Sequence, residues 1–348
     1  MTRGVRRAVW AVLALAVFLA GAVARPAAAA DTLTAIRERG HIVCGVGDGP
    51  TGYSTATPQG VWSGIGVDFC RALAAGVMGS KDAVKFRALT TERQVRALHA
   101  GEVDVLARYP DTAPGKESAQ GVRLAGILVH EEQGFMVRRS DNLTSALELS
   151  GARICVTRET GAGFGIVQYF TGLGMPFELV EFDDWKEAVA GYADANTKAC
   201  QVLSADLPEL ARARQGFGDA SEHLILPELV AKLPVGPAVR EGDDEWFSVV
   251  RWTLYALIAA EELGITSASV DLAKGSSNAA VRRFLGIDMD LGKRLGLKAD
   301  WTQRVVRQVG NYGELFERHL GQRSPLKLDR RLNNLSIHGG LHYAPSFR

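Results

Sequence analysis

Residues 41–106 read HIVCGVGDGPTGYSTATPQGVWSGIGVDFCRALAAGVMGSKDAVKFRALTTERQVRALHAGEVDVL, and this stretch decides the fold. His41 to Val46 is a short apolar run ending in glycines, the pattern of a buried strand. Val67 to Val77 carries apolar residues at helical spacing. Val84 to Leu89 predicts a second strand. Glu92 to His99 predicts a helix, Gly101 stops it, and Val103-Asp104-Val105-Leu106 predicts a third strand. The alternation βαβαβ calls for a parallel sheet, since parallel neighbours need a crossover and helices supply it.

The pattern restarts downstream. Ala152 to Val156, Glu178 to Phe182 and Gln201 to Ser204 read as strands, with helices over Phe164 to Leu173 and Trp185 to Ala193. Two such units predict two α/β lobes facing each other across a cleft. Ligands of open α/β sheets bind beyond the carboxyl ends of the strands. The loops after Val46, Leu89, Leu106, Val156 and Ser204 are therefore the expected cleft lining. From Asp244 the pattern turns helical, with Trp246 to Leu263 the longest run and amphipathic stretches continuing to Leu320. Residues 324–348, with Pro325, Gly339-Gly340 and Pro345, predict an extended tail on the surface.

Arg3, Arg6 and Arg7 precede an uncharged run, Ala8 to Ala22, and small residues at Ala27-Ala28-Ala29-Ala30. That order predicts a secretory signal peptide over residues 1–30, with an apolar run shorter than the ~20 residues a membrane span needs. No Cys stands at the cleavage point, so no lipid anchor is expected. Removing the peptide's four arginines leaves 36 basic against 39 acidic residues, and the formal charge of +1 becomes −3. That balance argues against nucleic acid as a partner. Four cysteines in an exported protein suggest two disulfides, with three possible connectivities. Cys44 with Cys70 and Cys155 with Cys200 is preferred because each pair falls in one lobe; four buried thiols is the alternative.

Catalytic and metal motifs are weak. Gly161-Ala-Gly163-Phe-Gly165 approaches a dinucleotide fingerprint, but the last glycine would have to stand at Ile166. No Gly-x-Ser-x-Gly elbow occurs. His338 and His342 are four apart, but Gly339-Gly340 argues against the helix that would align them. No cofactor, metal or catalytic residue is expected.

Several blocks carry a resemblance: Gly64 to Ala72, Ala100 to Leu106, Gln133 to Arg138, Gly236 to Arg240, Asp243 to Leu263, Gly310 to Arg318 and Gly339 to Arg348. The chain resembles periplasmic solute-binding proteins of polar amino-acid ABC transporters, in particular their general L-amino-acid-binding branch. The resemblance implies two α/β lobes (type II-like), residues 31–136 with 240–348 and residues 137–239. Phe135 to Arg138 and Val235 to Val239 would be the two crossover strands. It implies a monomer in the periplasm that closes on a small polar ligand, an amino acid or related amine, and delivers it to a membrane permease. An exported dehydratase-like enzyme on the same scaffold, or a divergent ligand-sensing receptor, is the alternative.

The same resemblance places the ligand residues. Asp206 matches the acid that pairs with the ligand amino group, and Tyr53 the aromatic packed on the ligand body. Read from the residues alone, Asp206 could equally cap the next helix. The family's two Thr and its carboxylate-gripping Arg are replaced within Arg108-Tyr-Pro-Asp-Thr-Ala-Pro-Gly-Lys116. Lys116 takes the Arg place, Asp111 and Ala113 the Thr places, and Thr112 lies between. Lys lacks the planar fork that grips both carboxylate oxygens. In the second lobe Thr160 and Gly161, beside Glu159, stand at a helix start where backbone N–H groups favour an anion. The added acids predict a ligand with extra positive charge or without a free α-carboxylate.

Overall fold

The computed structural model describes residues 31–47, 52–110, 120–158, 162–194 and 199–348. Helix α1 (Thr32–Arg39) is capped by the Asp31 carboxylate, which accepts from Leu33 N–H. The first unit continues with β1 (Ile42–Gly47), β2 (Thr55–Ala56), β3 (Trp62–Ser63), α2 (Ile65–Met78), β4 (Val84–Leu89), α3 (Thr91–His99) and β5 (Val105–Pro110). β6 (Val122–Leu124) and the long β7 (Val129–Arg138) lead to the second unit. It comprises β8 (Ala152–Thr157), α4 (Ala162–Gly172), β9 (Phe177–Phe182), α5 (Trp185–Ala193), β10 (Val202–Asp206) and α6 (Leu207–Gly216). β11 (His223–Ile225) and the long β12 (Ala231–Arg240) return to the first unit, where α7 (Asp244–Glu262), α8 (Ala279–Phe284), α9 (Trp301–Val309) and α10 (Tyr312–His319) pack.

The two units mirror one another. Strand order β4-β1-β5 in the first and β9-β8-β10 in the second puts the opening strand of each unit at its centre, and all four pairings are parallel. β7 and β12 join the units as an antiparallel pair, with residues 129–133 opposite 231–235. Beyond that stretch β7 pairs with β10 through residues 133–137, and β12 pairs with β5 through residues 235–238. On β7 the hand-over, at Gln133, precedes the crossover segment expected at 135–138; on β12 it falls at Val235, the start of the segment expected at 235–239. The reason is packing: Phe135 and Val137 enter one interior of the second unit and Met136 the other, as the two-residue period of a strand requires.

The largest apolar interior belongs to the first unit, where Phe69 of α2, Trp246 and Leu254 of α7 and Trp301 of α9 are buried together. Each such side chain contributes about 1.5–3 kcal/mol on leaving water. Cys44 and Cys70 join β1 to α2, and Cys155 and Cys200 join β8 to the approach of β10. The tail departs from the expected surface course. Leu326, Leu335 and Phe347 are buried in the first interior, and Phe347 sits edge-on to Phe284 and Trp252. Apolar residues spaced among the tail's turn residues are what draw it inward. Among the described residues no helix is long and apolar enough to cross a membrane. Residues 1–30 lie outside them.

Candidate functional site

Tyr53 sits in the loop after β1, and glycine makes its position possible. Gly64, just before α2, has φ +137°, and a Cβ there would stand 2.2 Å from the Tyr53 carbonyl oxygen. With Gly64 in place, the opening N–H groups of α2 tie the loop down. Ile65 N–H donates to Gly52 O at 2.8 Å and Gly66 N–H to Tyr53 O at 3.1 Å. Helix starts carry unpaired N–H groups, so these bonds satisfy two of them.

The Tyr53 side chain is buried against an ion pair between β5 and β7. Arg108 donates to Glu131 twice, through Nε at 2.7 Å and Nη2 at 2.6 Å. The Glu131 side chain is fully buried and Arg108 is 26% exposed. The Arg108 guanidinium lies 5.5 Å from the centre of the Tyr53 ring. Burial and the Glu131 charge push the Tyr53 hydroxyl well above its ordinary range. The guanidinium loses hydration here, yet Glu131 more than compensates and keeps it charged.

Asp206 closes β10 and occupies the N-cap position of α6, but its side chain makes no capping hydrogen bond. Its carboxyl is pushed up to about 7, first by burial, then by the charges of Glu131 and Glu209, against the pull of Arg108. Asp206 also reaches Tyr53 electrostatically, so residues from both units meet around one ion pair. Ser204, two residues earlier on β10, shares Asp206's side of the strand and is buried. Its Oγ accepts from Gln133 Nε2 at 3.0 Å and donates to Gly134 O at 2.8 Å. Gln133 Nε2 also donates to Ala162 O at 2.9 Å, fixing the start of α4.

Gln133, Ser204 and Asp206 border a cavity of about 430 Å³, which Phe164, Glu209 and Lys232 also line; Tyr53 and the Arg108–Glu131 pair stand outside its lining. Phe164 is 68% exposed at α4. Burial, then the Glu131 charge, push the Glu209 carboxyl up as well, with Arg212 opposing. Arg108 pairs with Glu131, so among the described residues Asp206 and Glu209 are the acids left facing the cavity, which exposed Lys232 also lines. A buried carboxylate without its own cation is stabilised by a cationic guest.

Of the residues picked from sequence, Tyr53 and Asp206 come together here. Asp111, Thr112, Lys116, Thr160 and Gly161 lie outside the described residues. Sequence reasoning missed Arg108, Glu131, Gln133, Ser204 and Glu209. One signal was available: Glu131-Glu132-Gln133 puts three consecutive polar residues into a largely buried strand. Charges in such a run need partners, and Arg108 of β5, one strand beyond β12 in the sheet, is one.

No protein-family model matches the chain. It is 44% identical over 329 residues to the general L-amino acid-binding periplasmic protein AapJ of Rhizobium johnstonii, across 94% of this chain and 96% of that protein. It is 39% identical over 337 residues to the glutamate/glutamine/aspartate/asparagine-binding protein BztA of Rhodobacter capsulatus, across 97% of each. Among solved structures, an ABC transporter periplasmic binding protein from Brucella ovis with glutathione bound superposes with a TM-score of 0.79 at 40% identity. That match covers 92% of this chain and all of the other.

Proposed function

The chain belongs to the amino-acid-binding periplasmic proteins of ABC transporters, and from that premise we propose that it captures a small amino-bearing solute between its lobes and hands it to a permease. The observation that carries the ligand assignment is Asp206: a carboxylate at a helix start that leaves its own helix uncapped and faces a cavity. On this reading the ligand ammonium pairs with Asp206, Tyr53 packs on the ligand body, and the Arg108–Glu131 pair holds Tyr53 in place. L-amino acids and glutathione, named for the relatives, share an ammonium next to a carboxylate. Asp111, Thr112, Lys116, Thr160 and Gly161 are proposed to take the carboxylate end.

Residues 31–136 with 240–348 form one lobe and 137–239 the other, with the hinge where β7 pairs with β12. Closure brings the lobes together and the hinge strands absorb the dihedral change. The protein is exported by its N-terminal segment, works as a monomer and breaks no bond; failure to turn over prephenate in a spectroscopic assay checks the last point.

Asp206 and Glu209, with Asp111 following β5 and Glu159 following β8 in sequence, are proposed to make this cleft more acidic than one for ordinary amino acids. The expected ligand therefore carries extra positive charge or lacks a free α-carboxylate. Calorimetric titration with glutamate, glutamine, leucine, arginine and a diamine tests this. Tighter binding of arginine or the diamine is expected. Micromolar binding of glutamate or leucine with no gain for the cationic compounds would overturn the specificity. No binding by any of them or by glutathione would overturn the amino-solute assignment.

A further inference from the structure

Successive side chains of a strand point to opposite faces. On β7 this separates Glu131, which holds Arg108 and Tyr53, from its neighbours His130 and Glu132. Those neighbours are held by the C-terminal tail. His130 N–H donates to Asn333 Oδ1 at 2.7 Å, and Asn333 Nδ2 donates back to His130 O at 3.0 Å. Leu332 N–H donates to Glu132 Oε1 at 3.3 Å, and Arg331 Nε stands 3.0 Å from Glu132 Oε2. The Glu132 carboxylate is buried, and burial pushes it above the ordinary carboxylate range against the opposing pull of Arg331 and the Leu332 N–H. Glu131 is thus bracketed on both sides by the tail.

The tail also touches both lobes. On the first, Leu326 and Leu335 are buried in its interior, and Arg330 pairs with Glu261 while its guanidinium lies 5.3 Å from the Tyr312 ring centre. On the second, Arg331 Nη2 donates to Pro227 O, and Gln215 of α6 donates to Pro325 O. Leu328 packs against the interiors of both. Arg331 has φ +45° and Lys327 φ +51°, the left-handed region that a residue with a Cβ keeps only where its surroundings over-determine it. One arginine therefore spans the hinge strand and the second lobe, in a backbone shape held by its contacts.

We infer that residues 324–335 form a strap across the hinge, which positions Glu131 from behind and, through Arg331, couples the separation of the lobes to the geometry of the ligand site. Widening the cleft moves Pro227 and Gln215 away from Glu132, so the strap must loosen and the narrow arrangement is favoured. Arg331 is a positioning residue: it acts on the ligand through Glu132 and Glu131. The effect on ligand affinity rests on the binding function proposed above; the effect on lobe separation does not.

Two variants separate side chain from backbone. Arg331→Gly accepts the left-handed φ but removes the guanidinium, and Arg331→Lys keeps the charge but loses the fork that reaches Glu132 and Pro227 together. Small-angle scattering on the ligand-free protein should show a larger radius of gyration for Arg331→Gly than for wild type, with Arg331→Lys between. Calorimetry with L-arginine as the probe should show about tenfold weaker binding for Arg331→Gly, carried by faster dissociation. An unchanged radius of gyration for both variants overturns the strap, whatever the titrations show. A wild type that ignores L-arginine leaves the scattering result to decide, and counts only against the ligand class. A variant that merely unfolds is recognised by circular dichroism, and Gln215→Ala, which removes the other bond from the second lobe to the strap, then takes its place with the same expected shift in radius.

Discussion

At the scale of single residues, the role proposed for Asp206 makes two opposite demands on pH. The ligand ammonium needs the carboxylate ionised, and its carboxyl is pushed up to about 7. Affinity should therefore fall as pH drops through 7 and level off above it, a dependence calorimetry at pH 5.5 and 8 resolves. Stability of the empty protein runs the other way. The folded state holds this proton from the ordinary value of 3.8 up to about 7, so the carboxyl costs progressively more folding free energy as pH rises across that window. Asp206→Asn, neutral throughout, should unfold at a higher temperature than the ligand-free wild type at pH 8, and the gap should close near pH 4. The same substitution should weaken ligand binding by about 2–5 kcal/mol at pH 8. A stabilised protein that binds worse is the signature of a group kept for its ligand. A helix cap would instead lose stability on substitution.

At the scale of elements, the site depends on how loops and strands are pinned. Gly64 lets α2 start against the Tyr53 carbonyl, and Gly64→Ala puts a methyl group 2.2 Å from that oxygen. The loop must shift, at a cost of about 1–3 kcal/mol in stability, read by denaturant unfolding, and the ligand contact of Tyr53 goes with it. The ion pair between β5 and β7 is similar in kind. Glu131→Gln leaves the Arg108 charge half-buried without its partner and should cost about 3–5 kcal/mol. Replacing both residues by apolar ones of similar volume (Arg108→Met with Glu131→Leu) should restore most of that stability and none of the binding. The disulfides act on loops of 26 and 45 residues. In the chain-entropy account reduction should remove about 3.5 and about 4 kcal/mol respectively, seen as a lower unfolding midpoint in dithiothreitol.

At the scale of the whole molecule, two mirrored α/β units share one continuous sheet through β7 and β12, so closure is bending of a paired ribbon. Ligand that binds the folded state alone stabilises it. A solute at 100 times its dissociation constant should add about 2.7 kcal/mol, and a thermal-shift screen of amino acids, amines and glutathione on the chain from Asp31 onward reads it directly. The tail adds a third crossing between the halves, from Leu326 and Leu335 in the first interior to the backbone of Pro227 in the second lobe.

What the sequence determined by itself was local and periodic. Val84–Leu89 and Trp185–Ala193 span the predicted residues, and most other strands and helices differ by a residue or two, because apolar spacing of two or 3.6 is written along the chain. Asp206 was legible as a ligand residue only through family likeness, since an acid after a strand reads equally as a cap. Tertiary structure alone showed that the cap bond is unmade, which supports the ligand role proposed above. It alone joined Arg108 to Glu131, 23 residues away, and brought Arg331 to Glu132 across some two hundred. It also drew the glycine- and proline-bearing tail inward, where turn residues had read as surface. Pairings of that kind depend on which faces meet after folding, and nothing in the local spacing of either partner records the other.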